Sequence, residues 1–453
     1  MPLESATRRR LSALLTGAQG KSRTPTLVAG LAEGTDLVWS GSAGPLPDGV
    51  AATDYAFRIG SITKTFTAVL VMRLVAEGRI GLDDRLDRFV EGTPYGDRTV
   101  RQLLSHTGGL IAEAGPPWWE RSPGRSWQQI IDETASGALL HAAGERFHYS
   151  NLGYGALGQV VARLRGRSWW DCVQAELLEP LGMARTGYLP PAPNAQGYAV
   201  HPFADLVTEE PHTDTADLAP AGQLWSTVAD LVVLGSFLIN GHAAVLDATW
   251  TARMLRWQSS AEPAGEVVDA FRSGYGLGVM IQQVRGTRRV GHFGSMPGFL
   301  AGLLAEPGTG RVGVSLANAT AGAIVAPDLL DEWSSSEPVT PGAWAPVAAA
   351  DLPAGVASSL GTWFLGPRAN LLHLRGTDLL ELTLPGSVTG FRFRRDEEGV
   401  WRGFDEYYAG EVLTLPADGQ ARGAVLDVGS FCFTRTPYDP GADVPGGGSD
   451  WSR

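Results

Sequence analysis

Lysine and cysteine are both nearly absent from this 453-residue chain. The two cysteines, Cys172 and Cys432, lie far apart, so there is neither a disulfide framework nor a cysteine metal cluster, and both are expected to be buried structural residues. The histidines show no metal-binding spacing such as His-x-x-x-His, and no metal is expected. No stretch approaches the roughly 18 apolar residues that a membrane helix needs. The N-terminus places Arg8-Arg9-Arg10 before a few apolar residues and turns polar at Gln19-Gly20-Lys21. That is not a secretory leader, and a cytoplasmic location is expected. With a net charge of −12 and a pI near 5.2, a basic stripe is missing too, which argues against nucleic acid or an anionic membrane as a partner.

Of the 36 basic side chains only Lys21 and Lys64 are lysines. Arginine cannot release its proton near neutrality, whereas a buried lysine can. Lys64 lies three residues after Ser61, and a lysine kept there points to an amine used as a base. Lys21, in an ordinary polar stretch, shows that lysine is rare rather than excluded.

The length exceeds what one core usually organises, so a large domain and a smaller one are expected. Thr26–Ala32 and Thr35–Ser40 read as a strand pair, and Asp54–Ile59 as a third strand. From Ser61 the apolar period becomes helical through Ile62, Phe66, Val69, Leu70 and Leu74. Thr99–Ser105, Asn151–Arg165 and Thr227–Ile239 read as further helices. Tyr275–Val284, Arg288–Phe293, Leu300–Pro307 and Arg311–Asn318 read as strands, so the sheet is assembled from both ends of the domain. A Ser/Pro/Ala/Gly-rich run follows, and beyond it closely spaced strands from Gly361 to Arg435 predict a small antiparallel barrel. The expected division is a catalytic domain over 1–333, a linker over 334–355, a barrel over 356–438 and a disordered tail over 439–453.

A serine becomes a good nucleophile when a neighbouring base takes its proton, and residues three apart share a helix face. The helix N-terminus adds an N–H and a favourable dipole for an oxyanion. Ser-x-x-Lys alone is common, and Ser61 could simply cap a helix. The order of the other motifs gives it weight: Tyr149-Ser150-Asn151 before a helix, and His292-Phe293-Gly294-Ser295 closing a strand. With Leu82-Asp-Asp-Arg-Leu86 and Val100-Arg-Gln-Leu-Leu-Ser-His-Thr-Gly-Gly-Leu110, the chain from 25 to 330 resembles the serine β-lactamase and penicillin-binding-protein superfamily. The resemblance implies an α/β (α+β) transpeptidase-like domain, its antiparallel sheet flanked by helices, followed by the small all-β barrel.

It also implies that Ser61 is the acylated nucleophile, Lys64 its base, and Tyr149 the proton relay to the leaving group and from the incoming nucleophile. Asn151 would hold the acyl donor's amide, with Gly294 beside it at the substrate, and the backbone N–H groups of Ser61 and Ser295 would form the oxyanion hole. His292 replaces the Lys-Thr-Gly lysine, as in esterase, D-peptidase and thioesterase branches. A neutral imidazole can hydrogen-bond to Tyr149 but offers no permanent cation to a β-lactam carboxylate, which argues against antibiotic hydrolysis. Trp118 and Trp119 are adjacent, so they cannot both face one core; one covers the cleft or the pair packs beneath it. Arg435 is either an ordinary strand residue or a cation for the substrate's carboxyl end. Gly153-Tyr-Gly-Ala-Leu-Gly158 matches a dinucleotide fingerprint without the preceding strand and reads as close helix packing. His106 reads as a structural ligand of its loop.

Within the superfamily, an intracellular acyl donor, the acidic balance, the barrel and the Trp-Trp loop resemble stand-alone penicillin-binding-protein-type thioesterases with a C-terminal lipocalin-like domain. That resemblance implies transfer of a peptidyl chain with a D-residue at its acyl end from a carrier protein's pantetheine to Ser61, then head-to-tail macrolactam formation, with no cofactor. The alternative is a D-aminopeptidase, amidase or carboxylesterase in which water attacks the same acyl-serine. A non-turnover acyl sensor is disfavoured by the presence of Tyr149 and His292.

Overall fold

The structure, a computed structural model, describes residues 3–438 apart from 115–116, 202–205, 261–270, 336–351, 353–355, 376, 388–389, 405, 417–424 and 430. The tail expected over 439–453 lies outside the described residues, as does the linker of 334–355 except for Ser334, Ser335 and Leu352.

Helix α1 (Ser5–Ser22) leads into a hairpin of β1 (Leu27–Glu33) and β2 (Asp36–Ala43). The main sheet is completed late in the chain by β3 (Ser259–Ser260), β4 (Phe271–Tyr275), β5 (Met280–Val284), β6 (Thr287–Met296), β7 (Phe299–Glu306) and β8 (Arg311–Ala317). Its order is β2-β1-β8-β7-β6-β5-β4-β3, antiparallel throughout, so the first strands do close onto the last. Both faces of its centre are covered, which is why β7 carries a nearly unbroken apolar run, Phe-Leu-Ala-Gly-Leu-Leu-Ala, rather than an alternation. On one face lies α4 (Val228–Asn240), preceded by α2 (Thr63–Ala76) and α3 (Asn151–Arg165) in the helical layer. On the other, Leu11 and Leu15 of α1 pack with Leu329 and Leu330 of α5 (Ala326–Ser334).

Two expected strands differ. Of Asp54–Ile59 only Phe57–Arg58 is extended, and it pairs with Trp225–Ser226 outside the main sheet. The segment Tyr275–Val284 is not continuous: a turn with Gly278 at φ +81° separates β4 from β5. The glycine-rich run lies inside α3, where a Cβ on Gly158 would stand 2.2 Å from Pro220 Cγ, so these glycines do serve helix packing. Cys172 and Cys432 are both buried and unbridged.

The C-terminal unit is a closed antiparallel barrel of eight strands. They are β9 (Gly361–Leu365), β10 (Arg368–Arg375), β11 (Leu379–Thr383), β12 (Gly390–Arg395), β13 (Trp401–Gly403), β14 (Val412–Thr414), β15 (Val425–Val428) and β16 (Phe431–Thr434). Trp363, Leu372, Leu380, Phe393, Leu426 and Phe433 fill it. Strands β13 and β15 are too short for their alternation to show in the sequence. Among the described residues, no helix is long and apolar enough to cross a membrane.

Arg435 belongs to the barrel. Its guanidinium lies 3.8 Å from the Trp363 ring centre and donates to the carbonyls of Ser358, Leu360 and Thr362 at 2.8 to 3.2 Å. The expectation of a substrate-binding cation at Arg435 is therefore corrected: the group is engaged in closing the barrel.

Candidate active site

Ser61 lies in a tight 3₁₀ turn, Gly60–Ile62, that feeds α2. Two glycines press this turn against β6. Gly60 adopts φ +49°, and a Cβ there would stand 2.5 Å from the amide nitrogen of Ser295. A Cβ on Gly294 would stand 1.9 Å from the carbonyl oxygen of Ile59 and 3.0 Å from the amide nitrogen of Ser61. Ser61 is half-buried and Ser295 exposed, so both are reachable from solvent. Gly294 thus acts by permitting backbone contact. Gly294→Ala is expected to push β6 off the turn and, by displacing an oxyanion donor, to slow Ser61 labelling by a fluorophosphonate about 10²–10³-fold. Unchanged labelling would remove the oxyanion role from this contact.

Lys64, one helical turn on, is fully buried. Its Nζ lies 3.0 Å from Ser61 Oγ, 2.6 Å from Asn151 Oδ1 and 2.7 Å from the carbonyl oxygen of Ala221. Burial lowers its pKa well below the usual lysine range, and the carboxyls of Glu113 and Glu120 only partly offset this. Asn151 Oδ1 and the Ala221 carbonyl can only accept, so each holds one N–H whatever the protonation state. The lone pair of the neutral amine is therefore left for Ser61, the one partner with a proton to give.

Asn151 is buried, and its Nδ2 donates to Glu113 at 2.8 and 2.9 Å. With Oδ1 on Lys64, its amide is engaged within the protein rather than turned to an acyl donor, and it orients the base. Glu113 has no place in the sequence motifs. The cue it offered was a carboxylate set in the apolar run Leu110–Ala114. It keeps some surface along the cleft while lying deep in the protein; burial and the charge of Glu120 raise its pKa. Trp119 is buried and donates its indole N–H to Glu113 at 2.5 Å. Trp118 faces the other way, donating to Glu120 at 2.9 Å with Arg121 stacked 4.8 Å from its ring. The pair is thus divided between the floor of the site and its rim.

Tyr149 precedes α3, whose N-cap Ser150 accepts from the Gly153 amide. Its ring lies 4.8 Å from Lys64 Nζ and 4.2 Å from the ring of His106. His106 has φ +56°, accepts the Ser150 amide N–H at Nδ1 (3.0 Å) and offers its carbonyl to His148, so it does hold the loop. His292 is buried near Tyr149, with ring centres 6.2 Å apart. Its Nδ1 contacts the Phe293 carbonyl at 2.5 Å, which fixes a proton there. Nε2 then accepts from the Tyr275 hydroxyl at 2.8 Å. The expected hydrogen bond from His292 to Tyr149 is therefore corrected: the partner is Tyr275. Burial, reinforced by Lys64, lowers the His292 pKa to about 3 and keeps the ring neutral.

The barrel completes the wall. Tyr407 packs against Tyr149, ring centres 5.3 Å apart and planes tilted by 42°, and Glu411 meets His148 Nε2 at 2.7 Å. A Cβ on Gly410 would lie 3.1 Å from His141 Nε2 and 3.4 Å from Arg146 Cδ, so the turn before β14 rests on the loop that leads to Tyr149.

The Beta-lactamase family matches residues 11–332, and a Domain of unknown function (DUF7586) matches residues 352–435. Penicillin-binding protein 4 of Amycolatopsis lactamdurans is 28% identical over 290 residues, 60% of this chain and 74% of its own. Beta-lactamase-like protein 2 of Dictyostelium discoideum is 29% identical over 245 residues, 49% of this chain and 44% of its own, so less than half of that relative is spanned. Among solved structures, the octameric penicillin-binding protein homologue from Pyrococcus abyssi aligns at TM-score 0.64 and 21% identity, covering 94% of this chain and 99% of that one. SurE aligns at TM-score 0.62 and 24% identity, covering 95% and 99%. These two likenesses concern the fold. A D-stereospecific amidohydrolase from Streptomyces sp. aligns at TM-score 0.61 and 26% identity, covering 73% and 98%. With most of its length matched, the chain belongs to the Beta-lactamase family, within the serine β-lactamase and penicillin-binding-protein superfamily of acyl-serine enzymes.

Proposed function

We propose that the protein is a thioesterase-type acyltransferase that releases peptides from a carrier protein as macrolactams. Ser61 Oγ attacks the thioester carbonyl while Lys64 takes its proton; the C–S bond breaks and the pantetheine thiolate leaves with a proton delivered through Lys64 and Tyr149. The peptide's own N-terminal amine then attacks the acyl-serine carbonyl: the amide C–N bond forms as the ester C–Oγ bond breaks, and the proton lost by the amine returns through Tyr149 and Lys64 to Ser61 Oγ.

The observation that carries this reading is the seating of Tyr407 on Tyr149, which places the barrel over the group that would serve the second step. A barrel wall beside the acyl-enzyme favours an attached amine over water by confining the peptide, because proximity raises the amine's effective concentration. The likeness to SurE extends over the barrel as well as the catalytic domain, and SurE has also been solved with D-Leu. A D-residue at the acyl end is part of the proposal, as is an intracellular donor.

Hydrolysis of D-amino amides or peptides is the second reading, favoured by the D-stereospecific amidohydrolase at 26% identity. Incubation with a linear peptidyl pantetheine thioester ending in a D-residue, read by mass, separates the two. The expected product is lighter than the linear acid by one water. The linear acid alone, across several peptides, overturns cyclisation in favour of hydrolysis.

A further inference from the structure

Arg368 opens β10 directly after the Gly366-Pro367 turn, paired with Leu365 across the β9–β10 hairpin. The hairpin tip is fixed from outside the strands by the amide of Tyr438, which donates to the Gly366 carbonyl at 3.2 Å. Tyr438 lies within electrostatic reach of Arg121. Arg368 itself lies within reach of Glu120, whose carboxyl in turn reaches Lys64. The tip of the barrel hairpin therefore lies on the side of the barrel near the Glu120–Arg121 segment.

Arg368 is half-buried: its guanidinium lies among many protein atoms yet keeps some surface. Its Nε is buried without a hydrogen-bond partner, and among the described residues no carboxylate comes within ion-pair distance. Neighbouring deep arginines differ: Arg58 donates to Thr213 and Gln223, Arg121 pairs with Glu210, and Arg289 with Glu306 and Asp331. Glu120 acts on Arg368 only at a distance, without an ion pair, and one of its oxygens is taken by Trp118. A guanidinium that keeps some surface in a crowded setting and has no ion pair can receive an anion, and its planar fork matches a carboxylate or a phosphate.

We propose that Arg368 is the barrel's receptor for an anionic group on the acyl donor, either the phosphate of its pantetheine arm or a carboxylate of its peptide. The identity of the donor rests on the acyl-transfer reading; the anion site itself does not.

The test uses full-length Ser61→Ala protein, which binds without turnover, and follows tryptophan fluorescence. Two matched pairs of probes are titrated: pantetheine 4′-phosphate against pantetheine, and N-acetyl-D-leucine against its amide. One anionic probe is expected to bind about tenfold more tightly than its neutral twin, the size of a charge-assisted hydrogen bond, and Arg368→Gln is expected to erase that advantage while leaving the neutral probe unchanged. An advantage in the first pair assigns the arm, and in the second the peptide. Arg368→Lys, which keeps the charge without the fork, is expected to retain an intermediate preference. Equal binding within both pairs overturns the proposal. So does an advantage that survives Arg368→Gln, or an equal weakening of neutral and anionic probes, which would report a collapsed barrel. If the preference holds but the wild type never forms an acyl-serine, the acyl-transfer reading falls and the anion site stands.

Discussion

Lys64→Met is expected to slow Ser61 acylation by an activated ester about 10³–10⁴-fold, toward the upper part of the range for a general base. Methionine is nearly as long and packs in the same apolar surroundings, so the change removes the base with little change of volume. It also leaves Asn151 Oδ1 and the Ala221 carbonyl without their shared donor, and so tests the whole hydrogen-bonded base rather than a charge alone. In the wild type the neutral amine is the active form. Because burial lowers the Lys64 pKa, acylation is expected to be lost only as pH falls through a value well below the ~10.4 of a free lysine. That limb is expected to vanish in Lys64→Met, and Lys64→Arg, which keeps the charge and cannot lose it, is expected to fail equally. Combining Lys64→Met with Ser61→Ala is expected to cost no more than Ser61→Ala alone, since the two act as a unit. Burst rates by stopped flow, with intact mass to locate the acyl group, measure the wild type and all four variants. A Lys64→Met rate within threefold of wild type would take the base role away from this residue.

That pair was legible because its geometry is local: three residues, from the 3₁₀ turn into the first turn of α2, bring Lys64 beside Ser61. Tyr149 and Asn151 were legible for a similar local reason, flanking a serine that caps a helix. What escaped was everything decided by packing between distant segments. Glu113 is hydrogen-bonded to Lys64 through Asn151, and Tyr275 takes the His292 hydrogen bond because β4 and β6 flank β5 in the sheet. No spacing in the chain encodes either contact. Arg435 shows the converse error, a cation at a strand end whose partners, Trp363 and three carbonyls, were invisible until the barrel closed. Helix α1 escaped because only Leu11 and Leu15 are fully buried along its 18 residues, too thin a stripe for a helical period to stand out.

Trp363→Ala carries the largest expected effect on the barrel and tests what the barrel is for. Trp363 is completely buried, donates its indole N–H to the Ser359 carbonyl at 2.8 Å, and carries the Arg435 guanidinium on its ring. Truncation removes one of the two tryptophans of a small core and the platform for that cation, a loss of about 3–5 kcal/mol. A domain of this size holds on the order of 5–10 kcal/mol in all, so the barrel is expected to melt first, as a separate transition below that of the catalytic domain. The catalytic sheet and Lys64 lie outside the barrel, so acylation of Ser61 by a small ester is expected to survive. Loss of Tyr407 from the face of Tyr149 opens the acyl-enzyme to water, and the ratio of cyclic to linear product is expected to fall about tenfold or more as the proximity advantage is diluted. The two substitutions thus divide the reaction: one removes the first step, the other redirects the second. If the barrel melts and the product ratio does not move, the barrel has no part in choosing the nucleophile, and the choice must lie with Tyr149, Tyr275 and His292 alone.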